Sequence, residues 1–188
     1  MTTANTNIER GEDVVSFLKS QHEEIKSRFQ QVSSSTGDQR QEAFDGLRRL
    51  LAVHETAEEE VVHPRAKKAI ASGESIVDAR LSEENEAKKV LAELEKLDVN
   101  SAEFDQRFAT FRDDVVAHAE AEEREEFTQL QFELDDEQLR RMRNAVKLAE
   151  ATAPTRPHPG VESAPANLLA GPFAWMLDRA RDAITGKS

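Results

Sequence analysis

The sequence predicts an all-α protein: an antiparallel up-down four-helix bundle, extended by a fifth helix, a C-terminal linker and a short amphipathic helix. Three observations carry this. Between about Asp13 and Glu150 the chain is rich in Ala, Leu, Glu, Lys, Arg and Gln, which lose little freedom on entering a helix. Apolar residues there recur at three- and four-residue spacing, and no alternating strand pattern of useful length appears. Five of the six prolines (Pro154, Pro157, Pro159, Pro165 and Pro172) fall in one stretch, and only Pro64 precedes them.

The first helix is read over 13–33 and is parted from the second by Gly37 and its Ser and Thr neighbours. The second runs over 39–71 and bends or restarts at Pro64, which has no backbone donor. Ser72-Gly73 ends it. Ser75 with Asp78 forms a candidate capping box for the third helix, 76–97. Asn100 with Glu103 does the same for the fourth, 101–132, and Asp135 with Gln138 for the fifth, 136–150. The domain division is therefore a helical bundle over 13–150, a Pro-rich linker over 151–172 and a C-terminal helix over 173–185.

Four stripes point to a common core. The first holds Val14 or Val15, Leu18, His22, Ile25, Phe29 and Val32. The second holds Leu47, Leu50, Leu51, His54, Glu58 and Val61 or Val62. The third holds Val77, Leu81, Glu84, Ala87 or Lys88, Leu91 and Leu94. The fourth holds Phe104, Phe108, Phe111, Val115, His118 and Glu122. Each stripe is interrupted at its middle by ionisable residues. His54–Glu58 and His118–Glu122 share the form His-x-x-x-Glu, which places both side chains of a pair on one helix face, roughly 6 Å apart along the axis.

A buried unpaired carboxylate costs several kcal/mol, and a whole domain is stable by only about 5–15 kcal/mol. Glu58, Glu84 and Glu122 must therefore be exposed, protonated, ion-paired or bound to a cation. Lys88 is the nearest basic residue on these faces, so a cation held by all four helices satisfies the pattern with fewest assumptions. The halves also repeat: His22 and Glu84 stand 62 residues apart, and His54 and His118 stand 64 apart. Glu84 takes the place of His22 in this register. Three imidazoles and three carboxylates exceed the needs of most single-metal sites and suit two metals bridged by carboxylate. Imidazole plus carboxylate without thiolate fits iron, manganese or zinc, with iron favoured.

At these residues the chain resembles the hemerythrin-like, HHE cation-binding family. The resemblance covers about residues 13–132, through His22-Glu23-Glu24, His54-Glu55-Thr56-Ala57-Glu58-Glu59-Glu60 leading to Pro64, and His118-Ala119-Glu120-Ala121-Glu122-Glu123. It implies a non-haem di-iron site with oxo or hydroxo and carboxylate bridges. The implied metal ligands are His22, His54, Glu58, Glu84, His118 and Glu122, with Glu122 preferred over Glu123 because its spacing matches His54–Glu58. Oxygen-carrying members place two histidines on the third helix, where this chain has Glu84 and Lys88. A protonated lysine ligates poorly. The more anionic site implied by Glu84 favours ferric iron and redox turnover of peroxide or nitric oxide over reversible dioxygen carriage. The expected small molecules are hydrogen peroxide, nitric oxide and dioxygen. The other class of function is a module that senses or sequesters iron or oxygen without turnover.

Several residues read as ordinary structure. His63 sits about 180° from His54 on an unbroken helix, so a supporting or capping role near Pro64 is expected. His158 falls in the linker and reads as inert. Glu120, Glu123, Glu125 and Glu126 read as a solvated face, and Phe104, Phe108, Phe111 and Phe127 as core.

Composition bounds the rest. Against 25 Lys and Arg stand 37 Asp and Glu, for a net charge of −12, which argues against nucleic acid and anionic membrane surfaces as partners. The absence of cysteine excludes disulfides, thiolate metal sites and cysteine nucleophiles. The longest hydrophobic run, Phe173 to Leu177, is too short to span a bilayer. Met1 to Asp13 is polar and lacks a signal peptide's apolar stretch, so the cytoplasm is the expected location. Phe173, Met176, Leu177, Ala180 and Ile184 share one face of the C-terminal helix. That face is expected to dock on the bundle, with dimerisation or capture of a partner protein as the alternatives.

Overall fold

The computed structural model describes residues 12–155. The N-terminal 11 residues, the linker beyond residue 155, His158 and the 173–185 helix lie outside the described residues. Four antiparallel rods form the bundle, and a fifth helix packs across one end. The first rod is α1 (Val14–Ser34). The second is α2 (Gly37–Ala57), which passes through a π-helical turn (Glu58–Val62) into α3 (His63–Ala69). The third is α4 (Gly73–Leu94). The fourth is α5 (Ala102–Ala121), continued by a second π-helical turn (Glu122–Phe127) and α6 (Thr128–Glu133). The end helix is α7 (Asp136–Thr152). There is no strand among the described residues.

Side-chain caps start three of the helices. Asp13 and Ser16 cap each other reciprocally at α1, and Asp135 with Gln138 forms the expected box at α7. Two expected caps are corrected. At α5 the cap is Ser101, whose hydroxyl accepts the Phe104 amide, while Asn100 accepts the Gly37 amide from the opposite loop. At α4 the helix begins earlier, at Gly73. The hydroxyl of Ser75 donates to the Ser72 carbonyl, and Asp78 pairs with Lys67. Gly73 is required there because a Cβ would stand 2.4 Å from the Ala66 carbonyl oxygen. This lets α4 fold back tightly against α3.

The core is divided. One apolar cluster gathers Val14, Leu18, Val62, Val77, Phe127, Leu130, Leu139 and Val146 at the α7 end. A second gathers Ile25, Phe29, Phe44, Leu51, Leu91, Phe104, Phe108, Phe111 and Val115 at the other. Burying each such side chain contributes roughly 1.5–3 kcal/mol. On every rod the ionisable residues of the stripe fall between the two: His22 between Leu18 and Ile25, His54 and Glu58 between Leu51 and Val62, Glu84 between Val77 and Leu91, and His118 and Glu122 between Val115 and Phe127. The bundle is thus two hydrophobic cores with a polar layer clamped between them.

Candidate metal centre

The polar layer brings all six sequence-predicted residues together in two groups. His22, His54, Glu58 and Glu122 each offer a ligand atom within 4.8 Å of the others. Glu55, Glu84 and His118 form a second group by the same measure, and His63 joins Glu84 and Glu122 in a third that links the two. None of the four residues in the first group is more than 2% exposed.

The histidines are oriented alike. His22 Nδ1 lies 2.9 Å from Glu123, His54 Nδ1 2.9 Å from the Gln21 side-chain oxygen, and His118 Nδ1 2.8 Å from Glu83. The Gln21 amide nitrogen donates to Glu150 of α7, which aims its oxygen at His54. Each outer partner accepts a hydrogen bond, so Nδ1 carries a proton and Nε2 is the end turned inward. Outer acceptors of this kind fix the ring and tautomer of metal-binding histidines.

The inward atoms converge on carboxylates. His54 Nε2 lies 3.2 Å from Glu58. Glu122 receives two: its Oε2 is 3.4 Å from His22 Nε2 and its Oε1 is 3.4 Å from His118 Nε2. Both oxygens of Glu58 and of Glu122, one oxygen each of Glu55 and Glu84, and Nε2 of His22 and His118 have no hydrogen-bond partner. A buried charge left this way costs several kcal/mol. Carboxylate oxygens and imidazole nitrogens that face one another at 3.2–3.4 Å, with no hydrogen bond between them, fit a cation that displaces the protons of His22 and His118.

The protein's own groups strain toward the same result. Burial, then the Glu122 and Glu55 carboxylates, push Glu58 well above the usual carboxylate range. Burial and Glu84 raise Glu55 to about 7. Burial and His22 depress His54 to about 3. Burial alone would raise Glu122, but His118 and His22 outweigh it and hold Glu122 well below the usual range. His118 and His22 are raised in turn, burial being outweighed by Glu122 and by their outer carboxylates.

Only the rotation read for His63 is corrected, not its supporting role: the π-helical turn widens and underwinds the rod, so the 180° offset of an unbroken helix does not apply. His63 is buried, with Nε2 2.6 Å from Glu84 and Nδ1 3.0 Å from Glu126. Glu126 is fully buried beneath it, not part of a solvated face, because the second π-helical turn rolls it inward. Glu55 lies beside the stripe that runs through His54 and Glu58, not on it, and is buried in the second group. The spacing of Glu55 and Glu58, three residues apart, was its signal. Lys88 turns aside and pairs with Glu59. Phe104, Phe108, Phe111 and Phe127 are core as expected, and Phe127 also stacks on His22 with ring centroids 5.7 Å apart.

A family model described as the hemerythrin HHE cation binding domain matches residues 13–130. The chain belongs to that family. Among solved structures, this HHE domain is similar to a hemerythrin HHE cation binding domain-containing protein from Mycobacterium kansasii. The TM-score is 0.66 at 18% identity, over 74% of this chain and 85% of the other, which supports the bundle fold. Among curated proteins it is 25% identical, over 140 residues, to a DNA nickase from Nostoc sp. (strain PCC 7120). The match takes in 74% of this chain but only 39% of the nickase's length. No helix among the described residues is long and apolar enough to cross a membrane.

Proposed function

We propose that this HHE domain holds two iron ions and turns over hydrogen peroxide, nitric oxide or dioxygen. The observation that carries the proposal is Glu122, one fully buried carboxylate whose two oxygens face histidines of different donor groups, each at 3.4 Å. That is the disposition a bridging carboxylate needs. His22, His54 and Glu58 would hold one ion, and Glu55, Glu84 and His118 the other. Manganese or zinc would be accepted by the same donors less well suited to redox work. Iron so held supplies one-electron chemistry between ferrous and ferric states.

The residues of the chain do the remainder. Glu123, Gln21 and Glu83 hold the imidazoles with Nε2 inward. Glu84 in the place of a histidine adds negative charge, which favours the ferric state and weakens reversible dioxygen carriage. His63, between Glu84 and Glu126, keeps a proton beside the second group, because those carboxylates outweigh burial and raise it well above its ordinary range. Nucleic acid is not among the proposed partners: the net charge is −12, and the chain spans under half of the nickase it resembles. Catalytic consumption of many equivalents of peroxide by the iron-loaded protein is the expected result. Consumption that stops at about one equivalent per site, or a dioxygen complex that forms and releases reversibly, contradicts turnover and supports the sensing or sequestering module instead.

A further inference from the structure

The second donor group has a cation for a neighbour. Lys88 stands four residues after Glu84 on α4, and Glu59 stands four residues after Glu55 on the rod of α2. Glu55 and Glu84 bring oxygens within 4.8 Å of each other across the two rods. The rods run antiparallel, so Lys88 and Glu59 start from opposite sides of that level. Side chains tilt toward the N-terminus of their helix, so both lean back toward it. There Lys88 Nζ donates to Glu59, with the lysine side chain 11% exposed and that of Glu59 1%.

Glu59 is not the partner that α4 alone would give this lysine. A glutamate four residues before a lysine on one helix is the favoured order for an ion pair. Glu84 meets that condition, yet its Oε1 lies 2.6 Å from His63 Nε2 and its Oε2 has no hydrogen-bond partner, nor has Glu55 Oε2. Both carboxylates still act on the ammonium. Burial works against its charge, but Glu59, then Glu84 and Glu55, outweigh burial and hold Lys88 above its ordinary range. A pocket of about 370 Å³ opens over Glu55, Glu84 and His118, and Lys88 is not among the residues that line it. The ammonium is therefore within electrostatic reach of the second group and held to one side of it.

We propose that Glu59 is a positioning residue for the second metal ion: it draws the Lys88 ammonium off Glu55 and Glu84, so that these carboxylates stand open to a metal ion instead of being filled by the protein's own cation. The inference rests on the two-metal reading above. It gives a task to Glu59, which belongs to neither donor group, and accounts for a lysine beside a layer built to take up cations. Paired with Glu59, the ammonium adds no net charge beside the donors. Without Glu59, Lys88 turns onto Glu84 or Glu55, and an incoming ion must displace it.

Zinc is the probe, because it suits imidazole and carboxylate and brings no redox chemistry of its own. The full-length metal-free protein is titrated with zinc by calorimetry. Nuclear magnetic resonance of the ring nitrogens assigns each step: His118 reports the second group, His22 and His54 the first. Glu59→Gln is expected to weaken the second step about tenfold and leave the first within about twofold, since an ammonium a few ångströms away competes with the ion. Glu59→Gln/Lys88→Met, which leaves no unpaired charge, is expected to restore the second step to wild-type strength or better. A second step unchanged in Glu59→Gln, or as weak in the double variant as in the single one, overturns the proposal. So does a Lys88→Met variant that binds the second zinc more weakly than wild type, a check that stands even if Glu59→Gln does not fold. A crystal structure of metal-free Glu59→Gln adds an arm without metal. Lys88 Nζ on Glu84 or Glu55 is the expected result, and Nζ turned to solvent overturns the proposal. A wild-type chain that takes up a single zinc sinks the two-metal reading, while the crystal structure still decides whether Glu59 holds Lys88 off the carboxylates.

Discussion

Glu122 carries two oxygens with no hydrogen-bond partner at the centre of a folded domain, facing His22 on one side and His118 on the other. The sequence pointed to it through the repeated His-x-x-x-Glu spacing, and the same logic led to His54, Glu58 and His118. Glu55 was hidden and the rotation of His63 misjudged, for separate reasons. Glu55 lies one residue, about 100°, around the helix from His54 and so faces the second donor group rather than the first. His63 depends on a local change of helical pitch that no stripe of apolar residues announces. Glu55 also makes the site's pH dependence testable. Burial, and then Glu84, raise its carboxyl to about 7. A cation must displace that proton, so metal uptake should release protons and affinity should climb as pH rises through about 7. Metal titrations in weak buffer at pH 6 and pH 8 check this. Glu55→Gln is expected to reduce the proton release and flatten the pH dependence, whereas an unchanged dependence would remove Glu55 from the site.

Both long rods switch to π-helical winding at the glutamate of their His-x-x-x-Glu pair, Glu58 in one and Glu122 in the other. Such turns bring inward residues that an α-helix would place on a flank, and they recur at functional sites. The consequence differs between the halves. Phe127, the last residue of one turn, stacks on His22, and His63, the residue that follows the other, bonds Glu84. An imidazole packed by a phenyl ring in one half thus corresponds to a carboxylate bonded by an imidazole in the other. Helix number, order and rough bounds were legible because helix formers and apolar spacing agree over whole rods. The cap of α4 was not, because a left-handed Ser72 and a close approach at Gly73 set it, and these depend on α3 folding back. A methyl group at Gly73 would meet the Ala66 carbonyl oxygen at 2.4 Å, so Gly73→Ala should cost about 1–3 kcal/mol in urea unfolding. No loss would show that the elbow between α3 and α4 is loose.

Across the whole molecule, two apolar clusters enclose one polar layer, and neither would tolerate that layer without compensation. The repeat offsets of 62 and 64 residues already implied a pocket shared by two similar halves. What the sequence did not show was the pocket beside Glu55, Glu84 and His118, which residues of α2, α4 and α5 line together and no single motif marks. Iron content with a visible absorption spectrum, on the wild-type chain and on Glu122→Ala, tests the central claim most directly. The account predicts about two irons per chain, as in carboxylate-bridged two-metal sites. It also predicts near-ultraviolet and visible charge-transfer bands, with at least one iron and those bands lost in Glu122→Ala at normal helicity. A wild-type chain that takes up no metal, or a Glu122→Ala variant that keeps two irons and an unchanged spectrum, would contradict it.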